Sequence, residues 1–135
     1  MRRKTAGLTG AVIALLAAPA LAHHSHAMFD YERAVELAGT VKEFKWTNPH
    51  SWMHLIAVNA HGQSVEYAIE MGAPAGLVHQ GWRPNTIAPG DKVTVSIHPL
   101  RDGTNGGELR YIVLPDGRSL GEGHEDAEFP NGRPQ

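Results

Sequence analysis

The 135-residue sequence predicts a small, mainly β domain of five antiparallel strands, with one short helix between the third and the fourth. Three observations carry that prediction. Apolar and polar residues alternate with period two, as in Val65, Tyr67, Ile69 and Met71 against Glu66 and Glu70. Turn residues punctuate the chain at Asn48-Pro49, Ala60-His61-Gly62-Gln63, Pro89-Gly90-Asp91 and Pro115-Asp116-Gly117, leaving stretches of strand length between them. Helical punctuation occurs once, where Pro74 stands at a first helical position and Gly81 follows Ala75, Leu77, Val78 and His79.

The first residues read differently. Arg2, Arg3 and Lys4 precede an apolar run from Leu8 to Ala18, and Pro19 then leads into Ala20-Leu21-Ala22, an A-x-A cleavage signal. Residues 1–22 are therefore expected to be a cleaved secretory signal peptide, and the protein to reside in the periplasm or outside the cell. The apolar run is well short of the roughly 20 residues a spanning helix needs, so no membrane insertion is expected after cleavage. The 113 residues that follow suffice for one domain with a modest core. Loss of Arg2, Arg3 and Lys4 moves the formal charge from −2 to −5, a balance that argues against nucleic acid or anionic lipid as partner.

Residues 23–34 form a histidine-rich arm with no apolar period, expected to be extended. Residues 35–120 form the domain. Its first strand, Val35 to Trp46, shows loose alternation and a bulge is expected near Gly39. Ser51 to Asn59 is apolar on both faces, as in a central strand. Ser64 to Met71 places Glu66 and Glu70 on a face that should be solvated. Lys92 to Pro99 turns Val93, Val95 and Ile97 one way and Thr94, Ser96 and His98 the other. A loop from Arg101 to Gly107 leads to the fifth strand, Glu108 to Leu114, and residues 121–135 are expected to be a disordered tail. Three strands, a helix and two strands is the element order of an OB-type barrel, in which closure removes exposed edges. An open sheet or a sandwich capped by the helix is the rival arrangement.

Metal chemistry is the first functional class to weigh. Nine histidines all follow residue 22, and cysteine is absent, so ligands must be nitrogen, oxygen or thioether. Cleavage after Ala22 would give His23 a free α-amine beside its imidazole, and these two nitrogens can chelate one cation. A third histidine, with His50, His54 and His98 as candidates, would complete a three-nitrogen set suited to Cu(II). The amine must lose its proton to bind, and its reference pKa near 8 makes that feasible at neutral pH. His24 and His26 are accessory ligands, and Met28 is a soft donor for Cu(I). A start at His24 would instead place His26 third and favour a square-planar Cu(II) or Ni(II) wrap.

The densest stretch is Trp46-Thr47-Asn48-Pro49-His50-Ser51-Trp52-Met53-His54. Asn48-Pro49 initiates a turn, after which His50, Trp52 and His54 are expected on one face of the next strand. Their spacing sets the two imidazoles roughly 13 Å apart at the backbone, so the pair is a weak zinc signal, although either could join a metal site with ligands from elsewhere. The plainer alternative is an aromatic strand whose imidazoles bond to backbone. Trp46, Asn48 and Trp52 are the candidate surface for a protein or small ligand. His61, His79 and His124 read as solvent histidines. The Asp102 to Gly107 loop has too few carboxylates for calcium. No phosphate loop, G-x-S-x-G motif or nucleophilic cysteine is present, so hydrolase and kinase chemistry have no support.

The combination of His23-His24-Ser25-His26-Ala27-Met28-Phe29-Asp30, Gly39 to Trp52, Glu70-Met71-Gly72-Ala73-Pro74 with Gly81-Trp82, and Pro89-Gly90-Asp91 with His98-Pro99-Leu100-Arg101-Asp102-Gly103 resembles a family of small exported bacterial proteins. It is the one labelled domain of unknown function six-one-five-two. The resemblance runs from His23 to about Leu120 and implies export and one β-rich domain, but no activity. The residues then support three readings in order: a copper carrier or sensor, a binding module for a periplasmic protein or small ligand with no cofactor, and a copper-dependent oxidative enzyme.

Overall fold

The computed structural model describes residues 26–122. The expected signal peptide, His23, His24 and residues 123–135 lie outside them. A single 3-10 turn, His26–Met28, is followed by β1 (Val35–Lys45), β2 (Trp52–Val58), β3 (Ser64–Glu70), α1 (Pro74–His79), β4 (Lys92–Pro99), β5 (Gly106–Val113) and β6 (Ser119–Gly121).

The sheet runs β3-β2-β1-β4-β5 and closes on itself, because β5 also pairs with β3. The closing pair is parallel, joining Ala68, Ile69 and Glu70 to Gly106, Gly107 and Glu108. The barrel is thus mixed rather than wholly antiparallel. Parity requires this: strand direction cannot alternate all the way around a ring with an odd number of strands.

β1 serves two ladders. Val35 to Thr40 pairs with β4 and Gly39 to Lys45 with β2, so Gly39 stands between both neighbours. A Cβ at Gly39 would lie 2.4 Å from the Ile56 carbonyl oxygen, which explains the glycine. The bulge falls later, between Val41 and Glu43, not near Gly39. There β1 has already left β4, and an extra residue disrupts only one ladder.

β2 is one-sided. Met53, Leu55 and Ala57 are buried inside the barrel, whereas Trp52, His54 and Ile56 are half-buried on its outer surface. Curling the sheet gives each strand one interior face, so the expected two-sided burial does not arise. Val41, Ile69, Val95, Ile97 and Ile112 fill the interior, and Leu77 of α1 and fully buried Trp82 close one end. α1 occupies the expected segment, and Gly81 has φ +92°, the positive value that ends the helix.

Two expectations at the margins change. The tail was expected from residue 121, but Gly121 belongs to β6 and pairs with Tyr111, while Leu120 packs on the core. The arm, from Met28 onward, is strapped to the barrel rather than projecting from it. Phe29 is 4% exposed and bridges Leu100, the Asp30 N–H donates to the Pro99 carbonyl at 2.9 Å, and the Arg101 N–H donates to Met28 at 2.9 Å. Burial of one large aromatic ring supplies the anchor.

Candidate functional site

Strand register assembles the site. Trp52 pairs with Glu70, Glu70 with Glu108, and Glu108 with His98, on β2, β3, β5 and β4 in turn. Residues in register share a face, so these four side chains form one row across the outside of the barrel. His50 precedes β2 and is not on the strand, unlike Trp52 and His54. It is placed by Ser51, whose N–H donates to Gly72 at 3.0 Å and whose carbonyl receives the Met71 N–H at 2.9 Å.

Two histidine–carboxylate pairs flank Trp52. The Nδ1 of His50 bonds Glu70 Oε1, and the Nδ1 of His54 bonds Glu66 Oε1 at 2.8 Å. Glu70 is 4% exposed, contrary to the solvated face expected for it, because the parallel pairing with β5 brings Glu108 alongside and His50 covers it. Glu66 lies in solvent and also bonds the Lys42 ammonium. Lys42 and His54 together hold its carboxyl below the usual range, and Glu66 in turn raises Lys42.

The third imidazole is held in the same way. His98 Nδ1 lies 2.9 Å from the Arg33 carbonyl oxygen, and its ring meets Tyr31 edge-on with centroids 4.8 Å apart. A carbonyl only accepts, so Nδ1 carries the proton and Nε2 the lone pair. The Glu70 and Glu66 carboxylates, as acceptors, favour the same Nδ1–H arrangement on His50 and His54. The Tyr31 phenol hydrogen-bonds Glu108, and burial, then that bond, push its pKa up to about 12, so it remains a donor at any physiological pH.

His50, His54 and His98 thus share one outer surface, but among the described residues no three His, Cys, Asp or Glu side chains converge as metal ligands. His26 opens the 3-10 turn. Trp46 packs on the core and on Phe44, with ring centroids 5.8 Å apart, while Asn48 is exposed in the turn ahead of β2 and joined to Pro49 by a cis peptide bond. Trp52 is half-buried between the two histidine–carboxylate pairs. Sequence reasoning missed Tyr31, Glu70 and Glu108 as members of the site. Their only local signal is Tyr31 within the histidine-rich arm, since the carboxylates meet through a pairing between distant segments.

Strand order, closure through β3 and β5, and a helix between β3 and β4 define a five-stranded OB-type barrel with a histidine- and carboxylate-bearing outer face. The chain belongs to the DUF6152 family, described as a family of unknown function, whose model matches residues 11–109. None of the curated proteins matches the sequence. Among solved structures, the mitochondrial single-stranded DNA-binding protein of S. cerevisiae is similar at a TM-score of 0.44 and 16% identity, over 61% of this chain and 93% of that one.

Proposed function

We propose that this protein is an exported copper-binding carrier or sensor, in which His23 supplies its α-amine and imidazole and His50 the third nitrogen. One observation carries the reading: His50, His54 and His98 each commit Nδ1–H to an oxygen acceptor, which leaves Nε2 as the basic nitrogen. Metal-binding imidazoles are oriented and made more basic by such partners. His50 is favoured over His54 because its carboxylate is buried, whereas Glu66 is exposed and already neutralised by Lys42. From Phe29 back to His23 the chain spans up to about 20 Å, enough to cross the strands that separate the strap from β2.

The test is a competition titration of Cu(II) into protein whose first residue is verified as His23 by mass spectrometry. A one-to-one complex with Kd below about 1 nM is expected, and one added residue ahead of His23 should weaken it by orders of magnitude. Weak binding at several sites, or unchanged affinity in the extended form, overturns the reading. A second reading rests on Trp52, which stands on the outer face of β2, a surface OB barrels use for ligands. It expects Trp52→Ala to abolish capture of a periplasmic partner without any metal, and undiminished capture would refute it.

A further inference from the structure

A cleft of about 610 Å3 opens where β5 changes partners. β5 pairs with β3 from Gly106 to Glu108 and with β6 from Tyr111, and the Arg110 carbonyl accepts the Glu122 N–H at 2.8 Å, so Leu109 stands where the two ladders change over. Arg110 is also the extra residue of a bulge against β4, because Ser96 pairs with Tyr111 and Ile97 with Leu109. Arg110 is therefore displaced from the regular ladder and is one of the residues that line the cleft. The volume lies within the range of small-molecule sites.

The lining sorts into three chemistries. Arg110 donates to the Ser96 hydroxyl at 3.2 Å and has no carboxylate at ion-pair distance among the described residues, so this lining residue carries a positive charge that no ion pair neutralises. Glu108 and Glu122 line the cleft as acceptors, and the lone pair of His98 Nε2 adds a third. Met71, Leu77 and Leu109 supply an apolar wall. Two carboxylates against one guanidinium disfavour a simple anion, and the single guanidinium disfavours a simple cation.

We propose that this cleft binds a small zwitterion, an α-amino acid with an apolar side chain. Its carboxylate would meet Arg110 in the forked geometry that guanidinium favours, its ammonium would meet Glu108 and Glu122, and its side chain would lie on Leu109 and Met71. The cleft reaches the helix side of the barrel through Leu77 and Gln80 and shares His98 and Glu108 with the outer-face row, but it uses neither His23 nor His50.

Calorimetric titration of L-leucine, L-methionine and L-phenylalanine into metal-free protein tests it, with N-acetyl-L-leucine and L-leucinamide as probes lacking one charge each. Saturable one-to-one binding by at least one amino acid is expected. Each blocked analogue, and Arg110→Gln, should weaken it by about tenfold or more, while Arg101→Gln on the exposed loop leaves it unchanged. No saturation by about 10 mM, or equal binding of the blocked analogues, overturns the proposal. The analogue comparison uses the unaltered protein, so it decides the matter even if Arg110→Gln fails to fold.

Discussion

Replacing Glu70 by glutamine removes one charge and almost no shape. The side chain is 6% exposed and its Oε1 takes the Nδ1–H of His50. A glutamine carbonyl can accept the same bond, so the barrel should survive with a change near 1 kcal/mol, about 4–8 °C in Tm for a domain of this size. What disappears is the negative charge that makes Nε2 of His50 a stronger ligand. Loss of such a partner lowers metal affinity by about 10–100-fold, or about 1.4–2.8 kcal/mol. Glu66→Gln is the internal comparison, because its side chain is 38% exposed and already paired with Lys42, and it should change affinity by less than about threefold. Competition titration of Cu(II) against a chromophoric chelator reads both variants, and circular dichroism verifies the fold. A Glu70→Gln protein that is folded and binds copper as tightly as the parent refutes the assignment of His50. A larger loss in Glu66→Gln moves the site to His54.

Three further outcomes follow from packing and ionisation. Trp82 is fully buried and touches Phe44 at 6.1 Å between centroids, so Trp82→Ala should cost about 3–5 kcal/mol in urea unfolding. A loss below about 1 kcal/mol would mean that this end of the barrel is not packed as described. A Cβ at Gly107 would stand 2.2 Å from the His98 carbonyl oxygen, so Gly107→Ala should destabilise by about 3 kcal/mol, whereas Gly62→Ala meets no neighbour and suffers only the strain of φ +77°. Tyr31 and Tyr111 both have pKa values pushed up to about 12, by burial first and then by Glu108 and Glu36. An unfolded tyrosine ionises near 10, so the stability held in these phenols is complete below about pH 10 and is lost as pH rises towards about 12. The urea midpoint should fall over that window, less steeply in Tyr111→Phe, and a midpoint flat to pH 12 would contradict the linkage.

Much of the barrel was legible in local pattern. Period-two alternation located the strands, Pro74 and Gly81 bracketed α1, and turns appeared at Gly62, Gly90 and Gly117, each with positive φ. Those signals are local because they arise from backbone sterics and from side chains alternating about one strand. The histidines at 50, 54 and 98 were also visible, since residue type alone marks them as potential ligands. The sequence could not say which acceptors would hold their Nδ1 atoms.

Tertiary structure decided the rest. Phe29 found its cover at Leu100, which turned a loose arm into a strap. Glu70, read along β3 as a solvent-facing residue, became buried because β5 returned in parallel register and set Glu108 beside it, and because His50 covers it. The same partner exchange left Arg110 lining a cleft that no stretch of sequence announces. Local chemistry sets which side chains are available and what each strand can bury, but which charges become neighbours depends on ring closure, and pairings between distant segments leave no periodic trace in the chain.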